Sequence, residues 1–229
     1  MAITEAARNE FPFLVDISTG NAMAQGILIA PEWVLTSAAL LEGSSSVTLA
    51  FGAHTNSNFL FLEGDPQPQQ TIEHEFVLHE GWNRSNFAIH NIALIRLASP
   101  PTLNAGVQPI STLSSAGNTV GQAVSCVGRG LSITAHKLTP TPQVVGATVA
   151  AASVAAAYFG AGCVLTQQVV VDIHGADIHT AALITRSAGG TELMGLFNYG
   201  ANAVGGPEVY LSIADYADWI MCNSGVGLR

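Results

Sequence analysis

Residues Gly26–Gly43 read GILIAPEWVLTSAALLEG, and this segment contains two short apolar runs separated by Pro31 and Glu32. Each run is only a few residues long, and both contain Val, Ile or Trp, which favour pleated strands. A helix in a globular protein normally requires a longer run with helical periodicity. We therefore predict strands at Ala24–Ile29 and Trp33–Thr36, joined by a turn.

Short apolar runs bounded by turn residues recur along the rest of the chain. About a dozen strands at this spacing predict an all-β protein, either a sandwich or a pair of barrels. The other predicted strands are Phe13–Ile17, Ser46–Phe51, Gln70–His74, Ile92–Leu97, Ala123–Val127, Gln143–Val149, Val164–Val171, Ala181–Thr185, Leu193–Tyr199 and Glu208–Leu211.

Two segments are predicted to be helical. Ser153–Phe159 is rich in Ala and is followed by Gly160, a residue that commonly ends helices. Ser212–Cys222 begins with a Ser-x-x-Asp capping pattern and repeats apolar residues along one helical face. The chain is therefore expected to end with a helix that packs on the β-structure.

The composition excludes several classes of protein. Of the 229 residues, 48% are hydrophobic and only 10% are charged, so the chain can form one large domain or two small ones with substantial cores. The net charge is −9, and the seven Lys and Arg residues are scattered along the sequence. Because the chain is acidic and has no basic stripe, we do not expect it to bind nucleic acid.

No membrane span is predicted, although Leu138–Val171 is a long uncharged run. Pro140 and Pro142 interrupt this run, and the Ala residues in its middle contribute little to membrane insertion. The N-terminus has no basic start followed by an apolar block, so we expect no signal peptide within this chain.

Short motifs along the chain resemble, in order, those of the chymotrypsin-like (trypsin family) serine proteases, and most closely the invertebrate digestive ones. The resemblance covers almost the whole chain. The motifs are FPF at Phe11–Phe13, GILI at Gly26–Ile29, WVLTSA at Trp33–Ala38, FGAH at Phe51–His54, HEGWN at His79–Asn83, NIALIRL at Asn91–Leu97, VQPI at Val107–Ile110, GRG at Gly128–Gly130, GLFNYG at Gly195–Gly200 and PEVY at Pro207–Tyr210.

The resemblance implies a fold of two six-stranded antiparallel β-barrels with a C-terminal helix. In this family the active-site cleft lies between the barrels. We expect residues 1–115 to form the N-terminal barrel, and residues 116–229 to form the C-terminal barrel and the helix.

The resemblance also implies that the catalytic residues are lost. The family uses a His base, an Asp that orients it and a Ser nucleophile. Their positions correspond here to Ala39, Asn91 and Thr180. Ala39 has no lone pair to accept a proton, Asn91 cannot stabilise an imidazolium, and nothing activates the Thr180 hydroxyl. We therefore expect that the protein is not an enzyme.

Neighbouring positions support this expectation. Ile178 stands where the family has a Gly whose N–H binds the oxyanion, and its β-branched side chain is expected to fill that space. His179 stands at the position of the buried Asp that binds the freed N-terminal amine, so this activation switch should also be absent. His90, beside Asn91, is interpreted as a strand-edge His that faces away rather than as a replacement base.

The ligand-binding candidates follow from the position of the specificity pocket in the family. His174 corresponds to the pocket floor, Glu208 to a Gly that lines the pocket, Tyr199 and Gly200 to a wall, and Asn198 to the segment that aligns a peptide. Because a buried carboxylate without a partner is costly, we expect Glu208 to contact His174 or to share a ligand with it. The alternative is that rearranged loops leave both side chains in solvent.

The cysteine pattern departs from the family. The pair that flanks the family's catalytic His corresponds here to Ala24 and Leu40. We expect Cys126, Cys163 and Cys222 to be buried free thiols, the alternative being a disulfide from Cys126 to Cys222 or to Cys163. The cysteines and the seven His residues show no metal-binding spacing, so we expect neither a metal nor another cofactor.

Two functions remain open. The first is a non-catalytic serine protease homologue that binds a protein partner or a ligand in an immune or digestive setting. The alternative is a storage, pigment or small-ligand-binding protein that uses the remodelled cleft as an apolar pocket. An enzyme with new chemistry is less favoured, and its candidate residues would be His174, His179 and Glu208. Asn83 begins a glycosylation sequon, which is consistent with secretion into an extracellular space or a gut lumen.

Overall fold

The computed structural model describes residues 3–55, 68–132, 134, 137–160, 167–173, 179–201 and 203–227. The described residues form two large β-sheets, a separate two-stranded sheet (Leu131–Ser132 with Lys137–Leu138) and three α-helices. The strands are β1 (Ile3–Glu5), β2 (Leu14–Ser18), β3 (Met23–Ala30), β4 (Trp33–Thr36), β5 (Val47–Phe51), β6 (Gln69–Glu73), β7 (Glu75–Leu78), β8 (Ala93–Arg96), β9 (Thr112–Leu113), β10 (Ala123–Gly128), β11 (Leu131–Ser132), β12 (Lys137–Leu138), β13 (Gln143–Ala150), β14 (Gln168–Asp172), β15 (Ala182–Ser187), β16 (Gly190–Gly200) and β17 (Glu208–Ser212), and the helices are α1 (Ala38–Leu41), α2 (Ala152–Phe159) and α3 (Ala217–Ser224).

The N-terminal sheet has the strand order β6-β5-β2-β3-β4-β8-β7. Its two end strands, β6 and β7, are consecutive in the chain and are separated only by His74. The chain itself therefore connects the two edges of the sheet, which curves into a half-barrel, called here the N-terminal barrel.

The C-terminal sheet is a closed barrel of six strands. Its order is β13-β10-β15-β16-β17-β14, and pairing of β13 with β14 closes the ring. Strand β1, from the start of the chain, adds to this second barrel through β13, so the N-terminus ties the two halves together. The predicted fold of two barrels with a C-terminal helix is confirmed, whereas the predicted boundary between residues 115 and 116 stays a prediction.

The β3–β4 hairpin contributes to two cores at once. Ile27 lies opposite Leu35 and Leu28 lies opposite Val34 in the antiparallel register. The first pair packs in the core shared by the two barrels, and the second packs inside the N-terminal barrel. All four side chains are fully buried, and each such burial stabilises the fold by about 1.5–3 kcal/mol. Burial of both faces explains why this segment is apolar throughout.

The helix predictions need two corrections. The C-terminal helix does not begin at Ser212, because that residue ends β17 and its buried Oγ has no hydrogen-bond partner. A 3-10 turn at Ala214–Tyr216 precedes α3, so sheet pairing outweighs the capping pattern. The short helix α1 was not predicted. The Ala-rich helix α2 is confirmed, and it ends at Gly160 with φ 100°.

The strand predictions also need corrections. Strand β7 was missed, since its residues have no clear alternation of apolar and polar side chains. The predicted strand Val164–Val171 is observed as β14, and residues 164–166 lie outside the described part of the chain.

A buried ion pair joins the two barrels. Arg129, which follows β10 in the second barrel, donates from Nε to both carboxylate oxygens of Asp16 on β2, at 3.0 and 3.1 Å. The guanidinium also donates to the carbonyl oxygens of Ala53, His54 and Pro140. Both charged side chains are only 5% exposed, so each depends on the other for its solvation.

We expect Arg129→Met to lower the free energy of unfolding by about 3–5 kcal/mol, because it leaves a buried carboxylate without its cation. The double variant Arg129→Met, Asp16→Leu should recover most of this loss. Arg96→Met is the matched control: its partner Glu75 lies 3.3 Å away and both side chains are more than half exposed, so the cost should stay below about 1 kcal/mol. Denaturant unfolding measures the free energy of unfolding of all three variants. Equal losses for Arg129→Met and Arg96→Met would contradict the stabilising role of the buried Arg129–Asp16 ion pair.

The cysteines differ in exposure. Cys126 and Cys222 are both free thiols, which excludes the predicted alternative of a disulfide between them. Cys126 is buried as predicted, but Cys222 is exposed on α3, so the prediction of three buried thiols is wrong at that residue. Burial raises the pKa of the Cys126 thiol well above its usual value. Cys163 lies outside the described residues.

In a Cys163→Ser background, we expect one thiol to react quickly with a thiol reagent in the folded protein and a second only after denaturation. The first is Cys222, because it is exposed, and the second is Cys126, because it is buried and its thiolate is disfavoured. Adding Cys222→Ser should remove the fast phase alone. Two fast thiols in the folded protein would show that Cys126 is accessible.

Candidate functional site

The structure brings Ala39 and Asn91 together although 52 residues separate them in the chain. Asn91 lies two residues before β8, and Ala39 lies in α1, just after β4. The backbone N–H of Ala39 donates to Oδ1 of Asn91 at 2.8 Å. Two of the three positions that correspond to the family's catalytic residues are therefore in contact. The side chain of Ala39 is only a methyl group.

The carboxamide of Asn91 is held at both ends. Since the Ala39 N–H can only donate, the Asn91 atom that faces it must be the oxygen, and the Nδ2 group must face the other way. Nδ2 donates to Oδ1 of Asn198 at 3.0 Å, and Nδ2 of Asn198 donates to the carbonyl oxygen of Ala88 at 2.7 Å. A carboxylate at residue 91 could not donate to Asn198, so this chain of hydrogen bonds suits an amide.

Thr180 is not presented to solvent. Its side chain is buried, and its Oγ1 lies 2.9 Å from the hydroxyl of Tyr210. The Tyr210 hydroxyl donates to Oε2 of Glu208 at 2.6 Å, so Thr180 must be the donor to Tyr210. The hydroxyl proton at the predicted nucleophile position is therefore committed to an internal hydrogen bond.

Glu208 lies at the centre of this polar chain. Its carboxylate is 0% exposed, and Oε1 lies 2.8 Å from Nδ1 of His179. Burial raises the pKa of the Glu208 carboxyl, and the hydrogen bonds from His179 and Tyr210 oppose that rise. Burial also raises the pKa of the Tyr210 hydroxyl well above its usual value, with further contributions from Cys126 and Glu208. These groups form a buried polar relay: Thr180, Tyr210, Glu208 and His179.

The expected partner of Glu208 was His174, whereas the structure pairs Glu208 with His179. His174 and Ile178 lie outside the described residues. A Cβ added to Gly200 would lie 2.5 Å from Cε1 of His179, so the imidazole packs directly against the backbone of the predicted pocket wall. Glu208 thus has a His partner, His179, and the predicted contact between Glu208 and His174 stays a prediction.

Tyr199 belongs to an aromatic edge beside the pocket. Its ring contacts Phe87 and Phe159 edge-on, at centroid distances of 5.8 and 5.4 Å, and Phe159 contacts Tyr158 at 5.0 Å. Phe87 is 55% exposed and Tyr158 is 49% exposed. The sequence singled out only Tyr199, because Phe87 and the adjacent pair Tyr158 and Phe159 come from two segments distant from it in the chain.

His90 is directed away from the Asn91 site. It has a positive φ of 55° and is not part of a strand, so its interpretation as a strand-edge residue is wrong in detail. Its ring stacks on His79 at 4.2 Å, and its Nδ1 lies 3.3 Å from the hydroxyl of Tyr216. Burial is the main cause that lowers the pKa of His79, followed by the neighbouring His90. His90 thus helps to dock the C-terminal segment.

A cavity of about 300 Å³ lies beside this relay. Its walls are mainly apolar and include Met23, Ala24, Leu138, Leu196 and Phe197, and His179 and Thr180 also line it. Ala24 is one of the two positions at which the family's cysteine pair is replaced. The cavity is therefore partly built from residues that the sequence had marked as a departure from the family.

The remaining predictions concern glycosylation, metal binding and a membrane span. Asn83 is exposed and caps a 3-10 turn, its Oδ1 accepting from the N–H of Ser85 at 2.9 Å, and its glycosylation stays a prediction. Among the described residues, no group of three or more His, Cys, Asp or Glu side chains could hold a metal ion. No helix in the described ranges is both long and apolar enough to cross a membrane.

The two-barrel fold, with its cleft positions Ala39, Asn91 and Asn198, is that of a chymotrypsin-like protein. Residues 2–220 match the sequence profile of the family described as Trypsin, and the chain belongs to the trypsin family of serine proteases.

Named relatives agree with this assignment. Brachyurin from Leptuca pugilator is 29% identical over 97% of both chains. Chymotrypsin-like elastase family member 1 from Macaca fascicularis is 32% identical over 46% of this chain and 40% of its own length. Among solved structures, neuropsin, a serine protease expressed in the limbic system of mouse brain, superimposes with a TM-score of 0.79 over 96% of this chain and 97% of its own, at 21% identity.

The burial of Glu208 predicts a specific pH dependence of stability. Its folded pKa is raised, so above the usual value of 4.5 the folded protein binds more protons than the unfolded chain. The free energy of unfolding should therefore fall as pH rises from about 4.5 through the folded pKa. We expect Glu208→Gln to remove this slope.

Denaturant unfolding at several pH values between 4 and 8 measures the difference in stability between wild type and Glu208→Gln. The control is Glu192→Gln on the adjacent strand β16, whose carboxylate accepts from Thr185 and is only half-buried. The difference in the free energy of unfolding between wild type and Glu208→Gln should change with pH. If it stays constant over this range, the Glu208 carboxylate does not titrate as described.

Proposed function

We propose that this chain is a secreted, non-catalytic member of the trypsin family that acts by binding a protein partner or a ligand. The observation that carries the proposal is the hydrogen bond from the Ala39 N–H to Asn91. It places the two positions in contact in the cleft, where a base and its orienting carboxylate would be needed, and neither group is present. A hydroxyl without a base is a poor nucleophile.

The state of Thr180 supports the same proposal. Its hydroxyl is buried and donates to Tyr210, so attack on a substrate would require both exposure and a new proton acceptor. Loss of the triad removes several orders of magnitude in rate. Ile178, from its place in the sequence, would add a loss of about 10²–10³ at the oxyanion position.

The aromatic edge favours binding of a protein partner. Phe87 and Tyr158 are exposed, and both lie in a continuous set of edge-on ring contacts that runs through Tyr199 and Phe159. Exposed aromatic side chains held rigidly by their neighbours are common at the centres of protein interfaces. The proposed digestive or immune setting would supply extracellular partners for such an edge.

A second candidate function is the binding or storage of a small ligand. The observation that favours it is the cavity beside His179, which has mainly apolar walls and about 300 Å³ of space. Ligand sites in proteins are typically apolar concavities with a small number of placed polar groups.

We expect no hydrolysis of peptide esters and no labelling by a fluorophosphonate probe above a buffer blank, because no base is available to deprotonate Thr180. An active trypsin-family protease assayed in parallel serves as the positive control. Stoichiometric labelling at Thr180 would overturn the proposal.

Restoring the lost groups separates the triad from the oxyanion position. We expect the triple variant Ala39→His, Asn91→Asp, Thr180→Ser to have no more than about one hundredth of the rate of the quadruple variant that also carries Ile178→Gly. The single variant Ile178→Gly is the control and should stay at the blank. A triple variant as fast as the quadruple one would show that residue 178 does not obstruct the oxyanion position.

A further inference from the structure

The cavity beside His179 lies at the junction of the two barrels. Met23 and Ala24 line it from β3 of the N-terminal barrel, and Leu196 and Phe197 line it from β16 of the C-terminal barrel. These four side chains offer no hydrogen bonds, so an occupant must present apolar surface to most of the wall.

The polar side chains in the wall are mostly satisfied by one another. Arg129 has Asp16 and backbone carbonyls as acceptors, and Gln25 donates to Asp16 at 2.8 Å while accepting from the Arg129 N–H. Thr180 donates to Tyr210. Because Asp16 neutralises the Arg129 charge, the described residues of the wall offer no free charge to an ionic ligand.

His179 is different because one of its ring nitrogens has no partner in the described part of the chain. Nδ1 bonds to Glu208 at 2.8 Å, and Cε1 lies against Gly200. His179 lines the cavity, and Nε2 is therefore the ring nitrogen that is available to a ligand there. Ser37 also lines the cavity, and its hydroxyl is a second polar group among the described wall residues.

The relay determines which role Nε2 plays. When Glu208 is ionised, Oε2 accepts from Tyr210 and Oε1 must accept from His179, so the neutral imidazole carries its proton on Nδ1. Nε2 then presents a lone pair. A ligand in the cavity must donate a hydrogen bond to this atom, because a ligand that could only accept would leave it unsatisfied.

We propose that this cavity binds a small, uncharged ring compound whose hydroxyl group donates a hydrogen bond to Nε2 of His179. A single-ring phenol has the required apolar faces and a strong O–H donor, and it fits a volume of about 300 Å³. This inference rests on the proposed binding function and specifies the chemistry of one ligand class.

The test uses the full chain labelled with ¹³C at its methionine methyl groups. Met23 lines the cavity, whereas Met221 is exposed on α3 and serves as an internal control in the same spectrum. Titration with phenol at pH 8 should shift the Met23 signal saturably and leave Met221 unchanged. Toluene replaces the hydroxyl by a methyl group of similar size, and it should bind about tenfold more weakly, which corresponds to about 1.4 kcal/mol.

Two variants localise the interaction. In His179→Phe the acceptor is lost, so phenol and toluene should bind with equal affinity. Because this variant could disturb the relay, Ala24→Leu provides a second test that leaves every group of the relay in place. Its larger side chain fills the cavity and should weaken phenol binding at least tenfold, while unchanged Met194 and Met221 signals report that the fold is intact.

Three outcomes of these titrations would contradict the inference. Equal affinity of phenol and toluene for the wild type, tighter binding of benzoate than of phenol, or no shift of Met23 would each overturn the inference. None of these results bears on hydrolysis, so the absence of catalysis is tested independently by the ester and fluorophosphonate assays.

Discussion

The two barrels share one hydrophobic core, and the cleft depends on it. Side chains from β3, β4 and β8 of the first barrel pack there against side chains from β15, β16 and β17 of the second, and Tyr216 and Ile220 of the C-terminal segment complete it. Because protein interiors are close-packed, this contact determines the spacing and angle of the barrels. The meeting of Ala39, Asn91 and Asn198 at the junction is a direct consequence.

Burying a junction of this size also buries polar groups, and each of them needs a partner. Three pairs of side chains provide such partners: the Asn91–Asn198 amide pair, the Arg129–Asp16 ion pair and the Glu208–His179 pair. Each pair joins segments that are distant in sequence. Because an unpartnered buried donor, acceptor or charge is costly, these pairs constrain which residues the cleft accepts.

The cleft therefore keeps its geometry through interactions that do not depend on catalysis. The Asn91 amide accepts from the Ala39 N–H and donates to Asn198, so the loops on the two sides remain linked without an imidazole between them. The His179 ring packs against Gly200, a predicted wall residue of the specificity pocket, and it also lines a cavity. The fold in this way retains a concave, mainly apolar surface on which the proposed binding function can act.

Much of the fold could be predicted from the sequence because it depends on local patterns. Short apolar runs between turn residues specified most strands, and ordered motifs identified the barrels and the positions of Ala39 and Asn91. Where local patterns competed, tertiary packing decided: Ser212 joined β17 rather than capping a helix, and His90 turned away to stack on His79.

What only the tertiary structure decided was the choice of partners. The sequence did not indicate the contact between Glu208 and His179, and Arg129 showed no sequence relation to Asp16, which lies 113 residues away. Sequence patterns report which side chains are apolar and which face they occupy, since these depend on the period of a helix or strand. The pairing of buried polar groups depends instead on how separate loops approach one another across a packed junction, and that is a property of the assembled barrels.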